Sequence, residues 1–323
     1  MIIVTGTKRS GTSMWMQIIR ASGVPIIGEA YSKGWDKTIF DANPLGFYES
    51  ELRRGIYFAT NPSRKTGKYI RSEDVENVGI KVFIPGLART ERAYIGRVVA
   101  TMRNWREYGP SLERLTSMER ENRAASGKKL PPPLPRMTGW LEWWRENYML
   151  IRDVAIRQYP VTMIAYDSVL EAPQVVIPRI MTWVGTGDIE KAVAAVSPEV
   201  RTQKGYERPE DCPILAAEVF DELYARVREA RPIDAPFIQK LNEVDGLLQP
   251  RMQKEIEQIR MATSKRRFMM AKAAAEKKKR DAEAGMFAAE ESEESTNEQE
   301  IDLGVDAELP DDLGATHDES SDE

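Results

Sequence analysis

At 323 residues with 41% hydrophobic side chains, the chain suffices for one large domain with appendages, or for two domains; no run approaches the roughly 18 apolar residues of a membrane span. A single cysteine, Cys212, leaves no internal disulfide, which suits a reducing compartment; the chain opens directly in a strand rather than a leader, so the cytosol is expected. The net charge of −5 hides a divided chain: fifteen Asp and Glu and no Lys or Arg lie from Glu290 onward, so the residues before them carry about ten surplus positive charges, which suits an anionic ligand.

Ile2-Ile3-Val4 reads as a short buried strand. A glycine-bounded loop follows, Gly6-Thr7-Lys8-Arg9-Ser10-Gly11-Thr12-Ser13, and the chain to Ala21 has helical character. A strand, a glycine loop and a helix in that order form an anion cradle, because the first N–H groups of a helix lack intrahelical partners and carry partial positive charge. Ser10, Thr12 and Ser13 add hydroxyl donors, and Lys8 and Arg9 add full charge. The loop nearly matches the nucleotide-binding pattern G-x-x-x-x-G-K-[ST], but Thr12 stands where that pattern has its lysine. This counts against ordinary nucleoside triphosphate chemistry.

The run Lys8-Arg9-Ser10-Gly11-Thr12-Ser13-Met14-Trp15 resembles the 5′-phosphosulfate loop of sulfotransferases, a Lys or Arg followed by Ser-Gly-Thr-[ST] and often a Trp. Further along, Asn43-Pro44-Leu45-Gly46-Phe47-Tyr48-Glu49 is similar to an Asn-Pro-x-Gly-aromatic-aromatic-Glu element of bacterial-type sulfotransferase-like proteins. The only histidine, His317, lies in the acidic tail, so the histidine base of many cytosolic members has no counterpart within the fold. A carboxylate is then expected to take the acceptor's proton. Glu49 is the first candidate, with Asp36 and Asp41 in reserve.

Gly79 to Ile84 reads as a strand ended by Pro85, and Arg97 to Met102 as another. The second runs into Arg103-Asn104-Trp105-Arg106-Glu107-Tyr108-Gly109-Pro110-Ser111. Sulfotransferases share an Arg at a strand end with a Ser eight positions later, and the resemblance implies that Arg103 and Ser111 hold the 3′-phosphate of the co-substrate. A guanidinium and a hydroxyl suit that task. Two departures stand out: Trp105 replaces the family's proline, and Gly109-Pro110 is expected to disturb the helix that carries the serine.

Ser117 to Arg136 is polar and proline-rich and reads as a surface excursion or lid. Trp140, Trp143, Trp144 and Tyr148 fall at helical spacing, as core packing does. A strand from Pro160 leads into Tyr166-Asp167-Ser168-Val169-Leu170, and the helix Gln174 to Val184 ends at Gly185. This stretch resembles the family's Tyr-Glu-[DS]-Leu segment, which implies that Tyr166 approaches the adenine. Lys204 and Gly205 are similar to the end of the family's Arg-Lys-Gly, with Gln203 in place of its arginine.

Residues 214–248 read as helical with a break near Pro232. From Arg251 a long charged helix is expected, with Lys265-Arg266-Arg267 and Lys277-Lys278-Lys279-Arg280 flanking Phe268-Met269-Met270. Beyond Gly285 the acidic, aromatic-poor composition predicts disorder. Alternating strands and helices predict an α/β domain over 1–248, a parallel sheet flanked by helices of the P-loop, sulfotransferase type, followed by a basic helix over 249–285 and an acidic tail over 286–323. The implied activity is transfer of a sulfuryl group from 3′-phosphoadenosine 5′-phosphosulfate to a hydroxyl or amine of a small-molecule or carbohydrate acceptor. No metal and no specific nucleic acid are expected; polyanion or protein contacts fall to the basic helix. Arg9, beside Lys8, is expected to stabilise charge on the transferring oxygens, so that its loss costs roughly a hundredfold in rate. A P-loop nucleotide kinase and a noncatalytic scaffold that keeps the cradle are the alternatives.

Overall fold

The computed structural model describes residues 1–31, 40, 43–125, 132–196 and 207–289. These divide into two compact units, one made of the described residues within 1–131 and 138–250, the other of those within 132–137 and 251–323. The first unit is an α/β domain built on a parallel sheet of five strands: β1 (Ile2–Gly6), β2 (Ile26–Ile27), β3 (Gly79–Lys81), β4 (Arg97–Met102) and β5 (Val161–Ala165). Their order is β2-β3-β1-β4-β5, with Ile2 beside both Gly79 and Arg97. The central strand is apolar on both faces, as a sheet covered by helices on both sides requires.

The strand alternation divides the core in two. Val4 and Val99 face helices α1 (Thr12–Ala21), α6 (Pro173–Val184) and α7 (Ile189–Ala194). Ile3, Val98 and Ala100 face α2 (Ile84–Arg89) and α4 (Gly139–Arg157). Between these lie α3 (Trp105–Ala125) and α5 (Tyr166–Glu171), and after them α8 (Ile214–Arg228) and α9 (Ala235–Ala289). The chain leaves β1 toward β2 at one edge of the sheet and leaves β4 toward β5 at the other. Neighbouring strands whose connections diverge open a crevice at their carboxyl ends, where ligands of such sheets bind.

Several sequence expectations are corrected here. The strand at Gly79 stops at Lys81, and Pro85 opens α2 rather than ending a strand, since the missing N–H of a proline costs nothing in a first helical turn. Gly109-Pro110 does not interrupt α3, which runs on to Ala125 and so takes in residues 117–125 of the expected surface excursion. The bare backbone of Gly109 packs against Gly139 of α4, where an added Cβ would come within 2.5 Å of the Gly109 Cα. This close helix approach favours continuing the helix despite the lost bond. The aromatic stripe is core: Trp143 and Trp144 are fully buried and meet Phe220 of α8 at 5.4 and 4.9 Å between ring centroids.

In the second unit, α9 continues past Pro250 to Ala289, beyond the boundary expected at 285, and Phe268, Met269 and Met270 are exposed on it. Residues 290–323, the greater part of the acidic tail, lie outside the described residues, as do Asp36, Asp41, Lys204, Gly205 and His317. Among the described residues no helix is long and apolar enough to cross a membrane.

Candidate functional site

The loop between β1 and α1 lies at the carboxyl end of the central strand. Two glycines permit its course. A Cβ on Gly6 would stand 2.4 Å from the Thr101 carbonyl oxygen of β4. Gly11 is left-handed at φ 101°, and a Cβ there would reach 2.6 Å from the Tyr166 ring. Gly11→Ala is therefore expected to lower stability by about 3 kcal/mol, the sum of a left-handed alanine and a forced ring displacement; a urea-unfolding midpoint close to that of the parent would refute it.

Arg9 also takes a left-handed backbone, φ 66°, which an arginine adopts only at a cost of about 1–2 kcal/mol. The loop is held there from within. The Ser10 hydroxyl donates to the Thr7 carbonyl at 2.7 Å, and the Thr101 hydroxyl donates to the Ser10 carbonyl at 2.7 Å. The Ser10 side chain is thus engaged inside the loop. No side chain caps α1 and no acid sits in its first turn, so the first-turn N–H groups, those of Thr12 and Ser13 among them, have no partner within the helix and carry partial positive charge. Among the described residues the Thr7 hydroxyl and the Trp15 indole N–H are buried without hydrogen-bond partners. Trp15 itself is fully buried in the core with Val4 and Ile177 and presents no accessible surface to a ligand.

The Arg9 side chain turns toward β4. Its Nε donates to the Ser111 hydroxyl at 3.4 Å. Arg103, at the carboxyl end of β4, donates from one terminal nitrogen to the Arg9 carbonyl at 3.1 Å and to the Ser111 hydroxyl at 3.3 Å. Its Nε pairs with Glu107 at 3.2 Å, and its guanidinium lies over the Tyr166 ring at 5.0 Å. The Trp143 indole donates to the Arg103 carbonyl at 2.8 Å. One hydroxyl shared by two guanidinium groups gathers positive charge within a small space. Burial, with Arg103 and Arg114 nearby, pushes the Arg9 pKa down to about 10, so the group stays cationic at neutral pH.

At the start of α1 the structure adds a residue that sequence reading passed over. Lys81, 2% exposed at the end of β3, donates from Nζ to the Phe47 carbonyl at 2.8 Å and to the Ser13 hydroxyl at 3.2 Å. It pairs with Glu49 Oε1 at 2.9 Å, while Arg53 holds Oε2 at 2.9 Å. Burial lowers the Lys81 pKa and Glu49 opposes that shift. The Asn43–Glu49 element brings these groups together. Glu49 bridges to Glu29 backbone to backbone, Phe47 N–H donates to the Ala30 carbonyl, and Ser13 Oγ donates to the Phe47 carbonyl. A lone lysine inside the apolar run Ile80 to Ile84 was the available signal, since a buried charge needs a partner.

Of the residues singled out in sequence, Arg9, Arg103, Ser111 and Tyr166 come together at the ends of β1, β4 and β5, and Ser13 and Glu49 meet around Lys81. Trp15 joins neither group. Among the described residues no three His, Cys, Asp or Glu are placed to hold a metal ion. No family model matches the chain, and no curated protein matches it in sequence.

Proposed function

We propose that this chain is a sulfotransferase that moves a sulfuryl group from 3′-phosphoadenosine 5′-phosphosulfate to a hydroxyl or amine. The observation that carries the reading is the meeting of Arg9, Arg103 and Ser111 beside the uncapped start of α1. The crevice thereby has two anion-binding places, as an adenosine phosphorylated at both its 3′ and 5′ positions requires. The spelling Arg9-Ser10-Gly11-Thr12-Ser13 and the eight-residue step from Arg103 to Ser111 agree with the family resemblance.

In this reading the N–H groups of the first turn of α1 bind the 5′-phosphate end, and Arg103 with Ser111 binds the 3′-phosphate. Tyr166 is given to the adenine. Arg9, with Lys8 beside it in the loop, and Lys81 supply positive charge along the crevice. Transfer releases a proton from the acceptor, and Glu49 is the carboxylate assigned to take it. Both Glu49 oxygens are engaged by cations, so an incoming proton displaces an ion pair, which leaves Lys81 free to turn toward the departing anion. The acceptor is a small molecule or carbohydrate, the basic stretch of α9 serves polyanion or protein contacts, and the location is the cytosol, which suits the lone cysteine.

Calorimetric titration with 3′-phosphoadenosine 5′-phosphate tests the reading. Binding is expected without magnesium, with at least tenfold weaker affinity in Arg9→Ala, the loss of one charge-assisted contact. Lys81 reaching Ser13 also suits a nucleoside triphosphate, since it brings a cation to the start of α1 where the loop itself has Thr12. Magnesium-dependent ATP turnover with no binding of 3′-phosphoadenosine 5′-phosphate would replace this assignment with a kinase.

A further inference from the structure

We propose that Arg114 is a third cation of the Arg103–Ser111 site and sets its preference for a terminal phosphomonoester. This rests on the sulfotransferase reading of the crevice. Glu107, Ser111 and Arg114 are spaced four and three residues apart on the continuous helix α3, which puts them within roughly 60° of one another around its axis. Glu107 and Ser111 both face Arg103, so Arg114 projects from that same side, one turn farther along and about 4.5 Å higher. It stands close enough to Arg9 for the two guanidinium groups to repel, which contributes to the lowered Arg9 pKa.

Charge accounting gives the ligand class. Arg9, Arg103 and Arg114 bring three positive charges to the surroundings of Ser111, and Glu107 neutralises one. A phosphomonoester at neutral pH carries about −1.5 to −2, which matches the remainder; a diester, at about −1, leaves one cation over. Arg114 is exposed and forms no ion pair among the described residues, so its side chain is available to a ligand. The Arg9 and Arg103 side chains are instead already committed to Ser111. The site therefore has two fixed guanidinium groups and one that closes on the phosphate.

The experiment is calorimetry on the full chain with 3′-phosphoadenosine 5′-phosphate and, separately, adenosine 5′-phosphate, comparing the parent with Arg114→Gln. The exposed position makes folding insensitive to the change, which a thermal melt checks. The variant is expected to bind 3′-phosphoadenosine 5′-phosphate roughly tenfold more weakly and adenosine 5′-phosphate as the parent does. Equal weakening for both ligands would make Arg114 part of a general positive field and overturn the assignment; unchanged affinity for both would overturn it also. A parent chain that binds adenosine 5′-phosphate but gains nothing from the 3′-phosphate would overturn both this assignment and the sulfotransferase reading. Selective binding by the parent, undisturbed in the variant, would overturn the assignment alone.

Discussion

Arg103→Ala is expected to be the most damaging single change in the crevice, costing about 3 kcal/mol of stability together with affinity for 3′-phosphoadenosine 5′-phosphate. Arg103 and its partner Glu107 are both nearly inaccessible to solvent, at 6% and 4%. Removing one member of a buried ion pair leaves the other charge without its counter-ion, and that desolvation cost exceeds what the pair itself contributes. The same truncation removes the Arg103 donor from the Arg9 carbonyl, leaves the Ser111 hydroxyl with Arg9 alone, and uncovers the Tyr166 ring. Arg103→Lys retains charge but has no planar fork to reach Glu107, Ser111 and the Arg9 carbonyl together, so it should keep more stability than affinity. Urea-unfolding midpoints and calorimetry separate the two effects. Adding Glu107→Gln to Arg103→Ala should recover part of the lost stability by removing the stranded charge; a double variant no more stable than the single one would show that Glu107 is not the source of the loss.

Glu49 should behave as two residues in one. Glu49→Ala is expected to cost about 3–5 kcal/mol, because Lys81, buried at the end of β3, loses its carboxylate. Glu49→Gln keeps the shape and a hydrogen-bond acceptor and should cost less stability; under the proposed sulfotransferase reading it should lower turnover by about 10²- to 10⁴-fold, as the loss of a general base does. Stability should carry a pH signature. Burial holds the folded-state pKa of Lys81 below its ordinary value, so between the two values the unfolded chain binds more protons, and the Lys81 contribution rises with pH. Without Glu49 the opposing attraction is gone and the folded pKa drops further, which widens that window downward. The stability deficit of Glu49→Ala against the parent should therefore shrink as pH rises from 7 toward about 10. A deficit independent of pH would show that Lys81 does not cause it.

The parts of the site legible in sequence were those whose chemistry is local. The loop from Gly6 to Ser13 announces itself through glycines, hydroxyls and cations between a strand and a helix, and the structure keeps that order. The Arg103–Ser111 step was readable because both residues belong to one strand end and the helix that follows it. Lys81 was not, because its meaning depends on β3 lying beside β1, and strand order does not show in residue order. The direction of the Arg9 side chain was hidden for the same reason: Ser111, its partner, is 102 residues away. Trp15 belongs to the loop segment for which the resemblance implies co-substrate binding, yet the helical period turns its side chain into the core.

Sequence alone determined the class of the fold, the strand, glycine loop and helix at its start, and the surplus of positive charge before the tail, since periodicity, glycine placement and composition act over a few residues at a time. Only the tertiary structure decided which cations face which end of the crevice, that Glu49 is held by Lys81 and Arg53, and that Arg103 rests on Tyr166. Those pairings join residues brought together by the order of strands in the sheet, and a buried charge takes its partner from whichever element that order sets beside it.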